Sequence, residues 1–205
     1  MCIILKKRGT MKRLSFLMVI IVFFINGCMI NNVPKYDEEV KAKWAQVMNE
    51  YKRRADLIPN LVKTVKAYAK HEDKVFKEVT ELRSKVMQMN VPEEVLNDPK
   101  AFEEYVATQQ KLSSALARLL AVSERYPELK ANKNFLMLQS QLEGTENRIA
   151  VARRDYIEAV KRYNLELRTI PNKWIAHLLY PEAKIRPTFS ITQQEMKVPE
   201  VNFDK

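Results

Sequence analysis

The sequence predicts an all-α protein, an elongated antiparallel up-and-down helical bundle. Gly is rare, at 3 of 205 residues, whereas straight-chain residues that favour helices are abundant. Apolar residues recur in steps of three and four over long stretches, which is typical of one face of a helix. Pro residues cluster at a few points that bound these stretches. We therefore expect three long helices, the first kinked near Pro59, and a short fourth helix, all within residues 35–180.

The first predicted helix carries an apolar face from Val40 to Val86. Pro59 interrupts it, because proline has no amide proton to give to the carbonyl of Ala55. The spacing nevertheless keeps its phase around Pro59, and no Gly, Ser or Asn cluster supplies a turn. A kinked, continuous helix of roughly 80 Å is therefore favoured over a hairpin.

The second helix has a well-marked start, with Asp98 as N-cap and Pro99 at the first helical position. It ends before Pro127, which gives a length of roughly 42 Å.

The third helix starts near Asn132 or Asn134 and spans roughly 55 Å. Its apolar positions, which end at Leu167, have the most regular spacing in the chain and predict heptad-like, coiled-coil packing. Asn172 is expected to cap the short fourth helix. Residues 181–205 are expected to form an irregular tail.

The N-terminal segment resembles a bacterial lipoprotein signal. Residues 14–25 are almost wholly apolar, a length that suits a secretory signal better than the ~20 residues of a membrane span. Basic residues precede this run, and Met11 is an alternative start. The step from Gly27 to Cys28 is similar to a lipobox. We therefore expect a signal peptide over residues 1–27, a lipidated Cys28 and a tether over residues 28–34; the alternative is an uncleaved anchor with an ordinary thiol.

The net charge of +10 is unevenly distributed. Residues 1–27 hold five basic residues and no acid, so the body carries only +5 on helices of mixed sign. Such a surface is usually solvated, and we expect no nucleic-acid partner. An anionic membrane surface fits at least as well. Cys2 and Cys28 have no cysteine partner in the body, so no disulfide framework is expected.

No motif in the sequence indicates catalysis. The two histidines, His71 and His177, lack the spacing of a helical zinc site, and no Gly-rich phosphate loop or G-x-S-x-G motif is present. Carboxylates on helix faces are most simply explained as solvated pairs. We expect a non-enzymatic protein without cofactor or metal.

The unequal predicted lengths suggest an exposed surface. The second and third helices are too short to cover the first, which would leave Trp44, Val47 and Tyr51 as a candidate partner surface near the membrane. The alternative is that the tail or the short fourth helix folds over these residues.

Two polar features are candidate functional residues. Lys52, Arg53 and Arg54 form a basic stretch that is expected to face anionic head groups or acids of a partner, unless it is simply solvated. Glu72 falls on the apolar face of the first helix, and Arg148 flanks that of the third. A contact between these two would fix the register of the bundle, unless Glu72 lies only at the edge of the buried face.

Two blocks of the sequence resemble the LemA family of bacterial envelope proteins. "RRADLIPNLV" lies within residues 51–83 and "TENRIAVARRDY" within residues 112–164, and the similarity extends over residues 36–178. The resemblance implies an all-α, up-and-down bundle that the N-terminus holds at the membrane, with its bulk outside the cytoplasm. It implies no defined activity, although relatives have been linked to envelope stress, membrane proteases and magnetosome membranes. Many members keep an uncleaved membrane segment where this chain has a lipobox.

The function expected from these observations is that of a membrane-anchored, non-enzymatic protein of the cell envelope. Its partners would be membrane lipid, through the N-terminal anchor, unidentified envelope proteins and a second copy of the chain. The expected role is a scaffold or interaction partner; the alternative is a peripheral membrane-shaping or lipid-binding protein. A hydrolase would need a polar pocket, which narrow bundles rarely provide.

Overall fold

The computed structural model describes residues 31–89 and 93–189 and confirms the all-α fold. Its longer helices are connected by short turns, and the described residues contain no β-strand. The elements in chain order are α1 (Asn32–Tyr68), α2 (Asp73–Gln88), a 3-10 helix (Glu93–Leu96), α3 (Pro99–Ala121), a second 3-10 helix (Val122–Arg125), α4 (Pro127–Lys130), α5 (Lys133–Arg168) and α6 (Asn172–Leu179).

Helices α1 and α5 pair antiparallel along their whole length. They contain 37 and 36 residues, so each spans about 55 Å. Polar contacts join them from one end to the other. These contacts are Asn32 to Glu166 at 3.4 Å, Glu39 to Arg162 at 2.9 Å, Lys43 to Asp155 at 3.2 Å, Glu50 to Arg148 at 3.0 Å and Tyr68 to Asn132 at 2.8 Å.

The predicted first helix is in fact two helices, and this part of the prediction was wrong. The chain leaves α1 after Tyr68, turns over residues 69–72 and continues as α2. Ala69, at the start of the turn, and Phe76, in α2, are both buried, and they are seven residues apart. Seven residues are two helical turns, so the apolar spacing passes through the break without a change of phase.

Four helices therefore form the bundle. Helix α2 runs back beside α1, and α3 then runs parallel to α1. The rings of Trp44 and Phe102 lie 5.4 Å apart, and those of Tyr51 and Tyr105 lie 5.9 Å apart. With α5 descending, the order is up, down, up, down, as in a simple four-helix bundle.

Pro59 lies inside α1, and the helix continues past it. The carbonyl oxygen of Ala55, which loses its usual donor at this point, accepts a hydrogen bond from Nε of Arg83 at 2.8 Å. Helix α2 thus satisfies the group that Pro59 leaves open in α1.

The structure confirms some of the predicted N-capping residues but not all of them. The carboxylate of Asp98 accepts from the amides of Lys100 and Ala101, as an N-cap does. Asn132 caps α5 by accepting from the amide of Phe135 at 3.0 Å. Asn172 does not cap α6; it is the first helical residue, and its side-chain amide donates to Glu166.

Helix α1 begins earlier than expected. Asn32 is already helical and Val33 is buried, so residues 32–34 belong to the bundle rather than to a tether. Cys28, the signal segment and the chain after residue 189 lie outside the described residues. Residues 181–189 form no regular secondary structure and pack along the bundle.

Candidate functional site

A buried arginine organises the middle of the bundle. Arg54 of α1 has only 1% of its surface exposed. It donates to the Glu146 carboxylate at 2.8 Å, to the Gln109 side chain at 2.5 Å and to the hydroxyl of Ser113. Gln109 and Ser113 belong to α3 and Glu146 to α5, so one guanidinium connects three helices.

Tyrosines extend this polar layer into the core. The amide of Gln109 donates to the Tyr105 hydroxyl at 2.7 Å, and the Arg54 guanidinium lies 5.2 Å from the ring centre of Tyr51. Burial is the main cause that raises the pKa of both Tyr51 and Tyr105. Both phenols therefore stay neutral near physiological pH. Both pack in the core, and the Tyr105 hydroxyl also accepts the hydrogen bond from Gln109.

The basic stretch does not act as one surface. Lys52 and Arg53 are exposed on α1, and their membrane-facing role stays a prediction. The prediction for Arg54 was wrong, because its side chain points into the bundle. It follows Tyr51 by three residues and precedes Ile58 by four, which places it on the buried face of α1.

The predicted partner surface on α1 is buried. Trp44, Val47 and Tyr51 have 4%, 0% and 3% of their surface exposed, so the prediction of an open apolar stripe was wrong. Aromatic residues of α3 and α5 and the chain after α6 cover it. The ring of Phe189 lies 6.3 Å from that of Trp44 and 5.2 Å from that of Phe102, in agreement with the alternative that the tail folds over this region.

Glu72 and Arg148 do not pair. Glu72 follows the end of α1 and accepts from Arg125 at 2.9 Å, whereas Arg148 donates to Glu50 at 3.0 Å. The antiparallel register of α1 and α5 sets Arg148 opposite Glu50, about 30 Å from the end where Glu72 lies. The buried polar contact across the bundle is made by Arg54 instead.

A second buried arginine holds the segment of residues 181–189 against the bundle. Arg186 donates to Asp37 at 2.6 and 3.0 Å and to Asn97, and its guanidinium lies 5.7 Å from the ring centre of Tyr163. Asn164 pairs with both backbone groups of Arg186. No periodic pattern in the irregular tail signals these contacts, and sequence reasoning missed them.

An exposed apolar patch lies on and around α6. Its members are large apolar side chains that solvent reaches: Ile170, Trp174, Leu178, Leu179 and Ile185. The patch is close to the start of α1, because Val33 and Pro34 line the same cleft as Leu179 and Tyr180. An exposed apolar surface thus lies on α6, close to the start of α1, whereas the surface predicted on α1 is buried.

Residues 31–89 and 93–189 contain neither a metal-binding cluster nor a helix that could span a membrane. No group of three or more His, Cys, Asp or Glu side chains is arranged to hold a metal ion. None of the helices there combines the length and apolarity that a membrane crossing needs.

The fold and the buried layer define an up-and-down four-helix bundle with an arginine-centred polar contact between α1, α3 and α5. The LemA family model matches residues 43–203, and the chain belongs to the LemA family.

Relatives at low identity extend this result. Magnetosome protein MamQ 2 of Paramagnetospirillum magneticum is 25% identical, over 83% of this chain and 70% of its own length. Magnetosome protein MamQ of Magnetospirillum gryphiswaldense is 23% identical, over 68% and 57%. Protein LemA of Metamycoplasma hominis is 22% identical, over 81% and 72%.

Proposed function

We propose that this protein is a membrane-anchored, non-enzymatic scaffold of the bacterial cell envelope, with its helical body outside the cytoplasm. One observation carries the proposal: α1 begins at Asn32, four residues after Cys28. Four residues reach at most about 14 Å. A lipidated Cys28, or an uncleaved apolar segment at residues 14–25, would therefore hold the first turn of the bundle close to the bilayer.

The shape of the bundle supports a spacing role. Paired helices α1 and α5 give a rod of about 55 Å, and the contacts of Arg54 connect both helices to α3. The end away from the anchor exposes Leu136 and Met137 at the start of α5. Similarity to proteins named magnetosome protein and protein LemA supports membrane association.

The alternative is a peripheral lipid-binding or membrane-shaping protein. The basic stretch of residues 52–54 suggested this alternative. Arg54 is buried, so only Lys52 and Arg53 remain exposed to meet lipid head groups. The apolar patch around α6 is the observation that favours lipid contact, and it is compatible with an anchored scaffold.

The scaffold proposal is tested by site-specific photo-crosslinking of the full chain in intact cells. A crosslinking residue at position 136, at the far end of the rod, is compared with one at position 151, halfway along α5; both positions carry half-exposed apolar residues. A discrete membrane-protein adduct from one position but not from the other supports a defined partner surface. Equal, heterogeneous adducts from both positions, or no adduct from either, would contradict the scaffold proposal.

A further inference from the structure

We propose that the α6 end of the bundle is a membrane-contact face, with Trp174 and Leu178 inserted into the interface of the bilayer to which the chain is anchored. The inference rests on the proposed anchoring and deepens it, because it assigns a lipid surface as the ligand of the α6 patch. It also defines how the rod stands on the membrane, with the α6 end down and the start of α5 away from the bilayer.

The large apolar side chains on and around α6 are highly exposed. Leu178, Trp174 and Ile170 have 79%, 65% and 64% of their surface exposed, the three highest values among the exposed large apolar side chains of the described residues. Leu179 and Ile185 add to the same region. Isolated exposed apolar residues need no explanation, but a cluster of this kind indicates a contact surface.

Helix α6 has one buried face and one exposed apolar face. Trp174 and Leu178 are four residues apart and lie on one helix face, whereas Ala176 is buried against the bundle. The helix therefore buries one face against the bundle and exposes Trp174 and Leu178 to solvent. Short amphipathic helices of this kind lie in the plane of the membrane interface.

The chemistry of the patch and its rim fits a bilayer interface. Trp is enriched where hydrocarbon meets head groups, because its ring is apolar and its N–H is polar. Exposed Arg168, Lys173 and Lys184 and a single exposed acid, Glu182, give the surrounding segment a positive balance. Such cations can extend toward lipid phosphates while their aliphatic stems lie on the apolar surface.

The path of the chain selects lipid over other occupants. The cleft shared by Val33, Pro34 and Leu179 joins α6 to the first turn of α1. The apolar run at residues 14–25 ends seven residues before Asn32, a reach of at most about 25 Å. Whether the anchor is a lipidated Cys28 or the apolar run itself, it is joined within this reach to the turn of α1 that borders the patch. Beyond α6, in contrast, the segment of residues 181–189 leads away to Phe189, which packs on Trp44 well along α1.

The two tryptophans of the chain make a direct test possible, since Trp44 is buried and Trp174 is exposed. Full-length protein is reconstituted in vesicles that contain lipids brominated near the head group. The emission of Trp174 is taken as the difference between the unmodified chain and Trp174→Phe. We expect this emission to lie at shorter wavelength in vesicles than in water. We also expect it to be much weaker in brominated vesicles than in vesicles of unbrominated lipid, because bromine quenches it. Trp44 should be unaffected.

A matched control places a tryptophan at the other end of the rod. Leu136→Trp in the Trp174→Phe background puts the probe at a half-exposed apolar position about 50 Å away, and it should not be quenched. An anchored chain whose Trp174 is not quenched overturns the inference, and so does equal quenching at position 136. Recovery of the chain outside the membrane would instead contradict the proposed anchoring.

Two further outcomes identify other occupants and would also overturn the inference. Quenching that appears only when residues 190–205 are removed would show that those residues cover the patch in the full-length chain. A blue shift that depends on the protein-to-lipid ratio, without quenching, would show that a second copy covers it.

Discussion

Arg83 of α2 donates from Nε to the carbonyl oxygen of Ala55 in α1 at 2.8 Å. This carbonyl would normally accept from the residue four positions later, but that residue is Pro59. The hydrogen bond therefore repairs the defect in α1 and ties the α2–α3 hairpin to it. Pro59 was predicted to kink a single long helix. In the structure it frees a carbonyl of α1 that accepts a hydrogen bond from α2.

Arg83→Met should cost about 1.5 kcal/mol of unfolding free energy, because a buried carbonyl loses a charged donor. In a Pro59→Ala background the restored amide at position 59 serves that carbonyl, so the same substitution should cost less than about 0.5 kcal/mol. Urea denaturation of the four proteins measures the difference. Arg118→Met, which removes an exposed ion pair to Glu78, is the control and should be insensitive to Pro59. Equal costs of Arg83→Met in both backgrounds would refute the repair.

Removing the partner of Arg54 should destabilise the bundle strongly. Glu146→Gln leaves a guanidinium that is 1% exposed without its countercharge, and we expect a loss of about 3 kcal/mol. Adding Arg54→Met removes the buried charge as well, so the double variant should be more stable than Glu146→Gln alone. Chemical denaturation provides the measurement. A double variant that is less stable than Glu146→Gln by the full cost of Arg54→Met would show that the two residues act independently.

Alkaline pH should unfold the protein through its buried tyrosines. Burial raises the pKa of Tyr51, Tyr105, Tyr156 and Tyr163. A raised folded-state pKa means that the stabilisation is complete below the unfolded value of about 10 and is lost as the pH rises beyond it. Stability measured by denaturation should therefore be level up to about pH 10 and fall above it.

Tyr156→Phe is the matched variant for this pH dependence. It removes the hydrogen bond from the hydroxyl to the carbonyl of Pro187, at 2.9 Å, and should cost about 1 kcal/mol at neutral pH. It should also make the alkaline decline less steep, since one raised phenol is gone. An unchanged slope would contradict the assignment of Tyr156 to this transition.

Arg186 should hold the segment of residues 181–189 over Trp44. Arg186→Ala breaks the pair with Asp37 and should cost about 3 kcal/mol, as for other buried charge pairs. In a Trp174→Phe background, quenching of Trp44 by acrylamide should rise, because Phe189 no longer covers it. Lys184→Ala changes an exposed cation of the same segment and should move stability by less than about 0.5 kcal/mol. Unchanged Trp44 quenching in Arg186→Ala would contradict this role.

The fold class, the Asp98 cap and the extent of α5 could be predicted from the sequence, since apolar spacing and capping chemistry are local signals. The turn after Tyr68 could not, because Ala69 and Phe76 keep the helical phase across it and no Gly or Pro marks it. One missed turn then produced the second error. A first helix of roughly 80 Å appeared to leave Trp44 uncovered, whereas an α1 of about 55 Å is matched by α5.

The predicted pair of Glu72 and Arg148 was wrong. The buried polar contact between the helices is centred on Arg54 instead. Its spacing from Tyr51 and Ile58 could have placed it on the buried face, had the two exposed bases before it not suggested a single basic surface. The contacts of Arg186 depend on an irregular segment, and no sequence periodicity describes where such a segment docks.

The intact mass of the membrane-extracted protein is the decisive measurement, because attachment at the N-terminus determines which end of the rod meets the bilayer. We expect a chain that starts at Cys28 and carries the added mass of acyl chains. A full-length chain without acyl mass would contradict lipid anchoring at Cys28.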